Sequence, residues 1–167
     1  MFSHGVIAGL LFAIVGRIVY ERTHTRQLAE LEKMHLSKRL PFAAWAFVIA
    51  GIASMGLPGF SGFVAELQVL IGAWMATPWW TLAAGVGIVV GVAYTWRALQ
   101  KAFFSDAPQT AHGLEHDHAH PFAAITWPEV TGVILLAGVS LFVGIYPKIL
   151  LDAIEPAVKA LLAGSGQ

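Results

Sequence analysis

The chain has 167 residues, 57% hydrophobic and only 12% charged, with zero formal net charge and no cysteine. A soluble domain of this length normally carries about a quarter charged residues, so the composition indicates an integral membrane protein, and the balanced charge leaves no basic stripe for nucleic acid. Without thiols there is no disulfide framework, thiolate zinc site or iron–sulfur cluster, and no cofactor is expected on the chain.

The first apolar run, residues 1–19, makes a helix of roughly 28 Å, just enough for a hydrocarbon core of about 30 Å. It has no basic lead-in and no small-residue cleavage pattern, so it is expected to be a membrane span rather than a signal peptide. Residues 20–40 then gather Glu21, Arg22, Arg26, Glu30, Glu32, Lys33, Lys38 and Arg39, the mark of an aqueous connection with room for a short helix. From Pro41 to Trp96 the only charged residue is Glu66. That stretch holds two crossings, 41–76 and 81–99, with Thr77-Pro78-Trp79-Trp80 as an interfacial turn between them, because tryptophan favours the headgroup level.

A second polar segment, 100–127, contains Lys101, Asp106 and a His-rich run over 112–120. The fourth span is expected over 130–146, followed by Pro147, Lys148 and a weakly amphipathic tail. The fold class is therefore all-α integral membrane, a single membrane domain over 1–167 with about four transmembrane helices. The connections 20–40 and 100–127 carry or adjoin the Lys and Arg residues, which puts both on the cytoplasmic side and both termini opposite. Arg17, Arg22 and Arg26 are expected to anchor the first span at that surface, and Trp74, Trp79, Trp80, Trp96 and Trp127 to form aromatic belts.

Gly56, Pro58, Gly59 and Gly62 interrupt the second span with helix breakers, and this predicts a broken helix over Gly56–Gly62. Backbone groups freed there need partners or water, so broken helices tend to line polar paths. Glu66 follows one turn later. A carboxylate at membrane depth costs at least about 2.5 kcal/mol and normally faces a cavity or a partner; with no Lys or Arg in the spans as an obvious mate, it reads as a proton-transfer site rather than packing glue. His4, in the first span, could exchange protons or simply hydrogen-bond to a neighbouring helix, and its residue type alone favours the packing role. The ligand types His112, Glu115, His116, Asp117, His118 and His120 suit opportunistic binding in a loop, and no metal site is expected.

Ser3-His4-Gly5 with Leu11-Phe12 and Gly16, then Tyr20-Glu21-Arg22-Thr23-His24-Thr25-Arg26, then Met55-Gly56-Leu57-Pro58-Gly59-Phe60-Ser61-Gly62-Phe63-Val64-Ala65-Glu66, resemble the antiporter-like proton-pumping subunits of NADH–quinone oxidoreductase, respiratory complex I. An acid at the Glu66 position resembles chain M in particular, where the sister pumps and related antiporter subunits usually carry lysine. The resemblance implies a non-redox subunit of a translocating enzyme in the cell's inner membrane. It also implies obligate complex I membrane partners, with protons and water as the relayed species. In this family Glu66 would end the membrane proton path, and His4 would match a histidine of its hydrophilic axis. The matched family proteins are much longer, so the chain corresponds to their last four or so spans, with Met1 falling inside a family helix. The rival expectations are a multi-subunit cation/proton antiporter, a membrane-bound hydrogenase subunit, or a non-conducting structural subunit.

Overall fold

The computed structural model describes residues 1–34, 36–104 and 122–164, so the His-rich run 112–120 lies outside the described residues. Helix α1 runs continuously over Phe2–Thr23 and widens into π-helical turns over Ala13–Val19. It outlasts the expected end near residue 19 because Tyr20, Glu21 and Arg22 remain good helix formers; His24, at φ 53° in the left-handed region, terminates it. The connection that follows holds two short helices, α2 (Leu28–Lys33) and α3 (Leu36–Arg39).

The broken span consists of α4 (Pro41–Ser54) and α5 (Ser61–Ala76). Gly56 at φ 69° and Gly59 at φ 106° adopt backbone conformations closed to ordinary L residues, and Pro58 between them cannot donate. Several amides of the break find local acceptors: Gly56 N–H donates to Ala53 O, Leu57 N–H to Ile52 O and Phe60 N–H to Leu57 O, each at 3.3 Å. Gly62, expected inside the break, instead sits in the first turn of α5. It is glycine because a Cβ there would lie 2.8 Å from the Ala53 carbonyl oxygen, so the two half-helices can approach only without a side chain.

Helix α6 spans Pro78–Phe103, longer at both ends than the expected 81–99. Pro78 occupies its first turn, where a missing N–H costs nothing, and this draws Trp79 and Trp80 into the helix and leaves Thr77 as the joint. Helix α7 covers Trp127–Ile145 and α8 covers Lys148–Gly164. The amphipathic character of α8 is stronger than expected: Lys148, Asp152, Glu155 and Lys159 recur at helical spacing along one face, while Ile149, Ile154, Val158 and Leu161 are exposed apolar residues.

The core is built around α1, which packs against α7 and α4. Leu10, Ile14 and Ile18 are fully buried at four-residue spacing, facing the fully buried small residues Ala43 and Ala50 of α4, which let the backbones approach. Phe47 and Phe103, with ring centroids 5.0 Å apart, close the end where α4 meets α6. Outward, α5, α6 and α7 present Val69, Ile71, Trp74, Val86, Val89, Ile134 and Leu135. Large apolar residues outside and small ones between helices invert the arrangement of a water-soluble bundle. Helices α1, α6 and α7 are each long and apolar enough to cross a membrane, and the broken pair α4–α5 supplies two shorter apolar helices. The chain is an all-α integral membrane protein.

Candidate functional site

The break positions Glu66. The residue lies on the second turn of α5, half-buried, with its carboxyl group folded back over the Cα of Gly56. A Cβ on Gly56 would come 3.1 Å from Glu66 Cδ and still closer to Oε2, so the glycine serves the site twice, through its positive φ and through the space it leaves. On the far side, Gly144 of α7 lies against the backbone of Gly59 and Phe60 too closely for any side chain, which seats the break on α7.

Glu66 and Ser54 border two cavities. The first, about 300 Å³, is completed by Ser3, His4, Ile7 and Leu11 of α1. The second, about 280 Å³, lies toward α6 and includes Tyr94 and Thr95. Each has room for several waters, which occupy about 30 Å³ apiece in the liquid. Among the described residues no hydrogen bond or ion pair joins Glu66 to a basic side chain. His4 is exposed at the first cavity and makes no direct hydrogen bond to Glu66, so any proton exchange between them passes through water. The structure thus brings Glu66, His4, Gly56 and Gly62 to one place; Pro58 and Gly59 shape the break without bordering either cavity.

Two further arrangements have no signal in the local sequence. Ser3 Oγ donates to Ser61 Oγ at 2.9 Å, and Ser61 Oγ lies 3.1 Å from Ser140 Oγ, with Ser61 and Ser140 almost wholly buried. At the other end of α1, Arg22 donates to Glu129 Oε2 at 2.8 Å and Oε1 at 3.4 Å. The same guanidinium donates to the carbonyls of Ala123 and Ala124 at 2.8 and 2.9 Å, and to Ile18 O at 3.0 Å. Glu129 also accepts the Thr126 N–H at 2.7 Å, capping α7. Arg22 is therefore more than the surface anchor expected of it: it joins the end of α1 to the start of α7. Among the described residues no three His, Asp or Glu side chains converge as a metal site.

Comparison with known proteins places this architecture. The chain is 33% identical over 162 residues to NADH-quinone oxidoreductase subunit M of Rhodobacter capsulatus, covering 97% of this chain and 30% of that protein. It is 33% identical over 171 residues to NAD(P)H-quinone oxidoreductase chain 4 of a Synechococcus strain, covering 97% and 29%. A chain in the structure of respiratory complex I from Thermus thermophilus with bound NADH superposes with a TM-score of 0.79 at 28% identity, over 95% of this chain and 31% of that one. The chain thus spans under a third of the length of the relatives it matches. Residues 1–91, more than half of the 167, match the family described as "NADH:quinone oxidoreductase/Mrp antiporter, TM", and the chain belongs to that family.

Proposed function

We propose that this chain supplies the C-terminal part of a proton-translocating membrane subunit of NADH–quinone oxidoreductase, with Glu66 as the group that takes up and releases the proton. The observation that carries the reading is the position of Glu66 as common wall of two cavities, without a counter-cation among the described residues. An acid so placed borders water-sized space on both sides, so a proton it carries has a way out toward either cavity as water enters. His4 exchanges protons with Glu66 across the first cavity through water.

Electrons and quinone are handled by other subunits, and this chain does no bond chemistry; redox energy reaches it as changes of hydration and electrostatics. Its partners are the remaining membrane subunits and the lipid around them, since exposing the cavity-lining polar groups of α1 and α5 to lipid would be unfavourable. The connections 20–40 and 100–127 face the cytoplasm in this reading, with both termini on the opposite side of the inner membrane. The family name also covers antiporters, but the relatives reported above are all quinone oxidoreductase subunits, which favours the respiratory assignment.

The test is Glu66→Gln in the complete complex in sealed membrane vesicles, measuring proton uptake against quinone reduction. Removing the titrating group is expected to lower proton translocation by about tenfold or more. Parent-level translocation would remove Glu66 from the path. Glu66→Asp, which keeps the proton and shortens the reach, is expected to retain part of the function.

A further inference from the structure

We infer that Ser3, Ser61 and Ser140 form a hydroxyl pin that holds the His4-bearing and Glu66-bearing helices in register, so that all three serines are positioning residues of the proton site. The inference rests on the proposed role of Glu66. The three hydroxyls come from three helices, α1, α5 and α7, and meet at 2.9 and 3.1 Å. Ser140 is 0% and Ser61 2% exposed, so neither hydroxyl can turn to bulk water for a partner. A buried hydroxyl without a partner is costly, so the alignment in which the two meet is favoured over one that parts them.

The pin sits where register matters. Ser3 immediately precedes His4 and borders the same cavity as Glu66. Ser61 opens the half-helix that carries Glu66. Ser140 lies one turn before Gly144, whose contact with Gly59 and Phe60 seats the break. A slip of α5 along α1 by one turn, about 5.4 Å, would break the Ser3–Ser61 bond and carry Glu66 away from His4. The trio is a pin and not a proton wire, because Ser140 is sealed and no further side chain accepts from it among the described residues: a proton passed along it has no exit.

The experiment compares Ser3→Ala, Ser3→Thr and Ser140→Ala in the complete complex in sealed vesicles, measuring protons translocated per electron pair together with assembly. Ser3→Ala removes one hydroxyl while Ser61 and Ser140 still satisfy each other, so the complex assembles. The ratio is expected to fall at least severalfold, since a misplacement of about 1 Å in a transfer geometry can cost up to about a hundredfold. Ser3→Thr, which keeps the hydroxyl at a half-buried position, is expected to restore it. Ser140→Ala is expected to lower the ratio as Ser3→Ala does. Parent ratios in both alanine variants would overturn the pin, and so would a loss of assembly and turnover together that leaves the ratio intact, since that marks a purely structural contact. Glu66→Gln in parallel separates the two readings: normal translocation there removes the site itself, whereas a defect there with parent ratios in both alanine variants removes only the pin.

Discussion

Two glutamates on neighbouring helices meet opposite fates in this fold. Glu129, at the start of α7, is held by both terminal nitrogens of Arg22 and by a backbone amide, and the pair's side chains are only 6% and 4% exposed. Among the described residues Glu66, on α5, has neither a cation nor a capping amide, and it borders two cavities instead. The first carboxylate is fixed in charge and geometry and serves as a clamp. In its proposed role the second passes a proton without an ion pair to break, and that freedom is what a relay requires. The difference is made by backbone: Glu129 faces the end of α1, whereas Glu66 faces the hollow left by Gly56.

The comparison breaks most sharply under the matched pair Glu66→Gln and Glu129→Gln. Both exchange a carboxylate for an amide of nearly the same shape. The first is expected to remove translocation in the assembled complex, as set out above. The second leaves Arg22 with a neutral partner and is expected to cost on the order of 2 kcal/mol, read as a lower thermal midpoint of the complex, with protons per electron pair at the parent value. If Glu129→Gln lowered that ratio while the complex stayed as stable as the parent, the division between clamp and relay would be wrong. Arg22→Ala extends the test, because it strips the Ala123 and Ala124 carbonyls of their donor as well, and its thermal loss should exceed that of Glu129→Gln.

Gly56→Ala acts on the hollow itself. An alanine at φ 69° costs about 1–2 kcal/mol, and its Cβ meets the carboxyl end of Glu66. Because that end is flexible, the side chain can swing aside, so the stability loss stays modest while the carboxylate is displaced from its place between the cavities. Translocation should fall more than thermal stability. Gly144→Ala should show the reverse balance, because its Cβ would meet the backbone of Gly59 and Phe60, which cannot swing away.

What was legible in the sequence follows from the range of the interactions involved. The break could be read directly, since glycine and proline act on the backbone where they stand, and Glu66 stood out as the single charge between Pro41 and Trp96. Helices α1 and α6 run past the expected spans 1–19 and 81–99 because polarity marks the membrane boundary, whereas caps and backbone angles end a helix: Pro78 starts α6 ahead of its tryptophans, and His24 ends α1 beyond its first charges. The π-helical turns of Ala13–Val19 have no residue pattern that announces them. The serine trio and the Arg22–Glu129 clamp join positions 58 to 107 residues apart, so no local motif could pair them.

The smallest expected effect tests the His4 side of the contrast. His4 is exposed and borders the first cavity without a direct hydrogen bond to Glu66, so the contribution proposed for it is exchange through water, which other waters can partly replace. His4→Ala should therefore lower translocation by much less than the roughly 10²–10⁴-fold of a directly positioned proton-transfer group and less than Glu66→Gln, with no change in assembly because no hydrogen bond or ion pair to another described residue is lost. His4→Gln keeps a polar, water-binding side chain but cannot titrate. If the imidazole acts by exchanging protons, the glutamine variant falls with the alanine; if it only holds water in the cavity, glutamine restores the parent rate. Parent rates in both variants would leave Glu66 as the chain's sole proton-exchanging group at this site, with the second cavity, toward Tyr94 and Thr95, as its route.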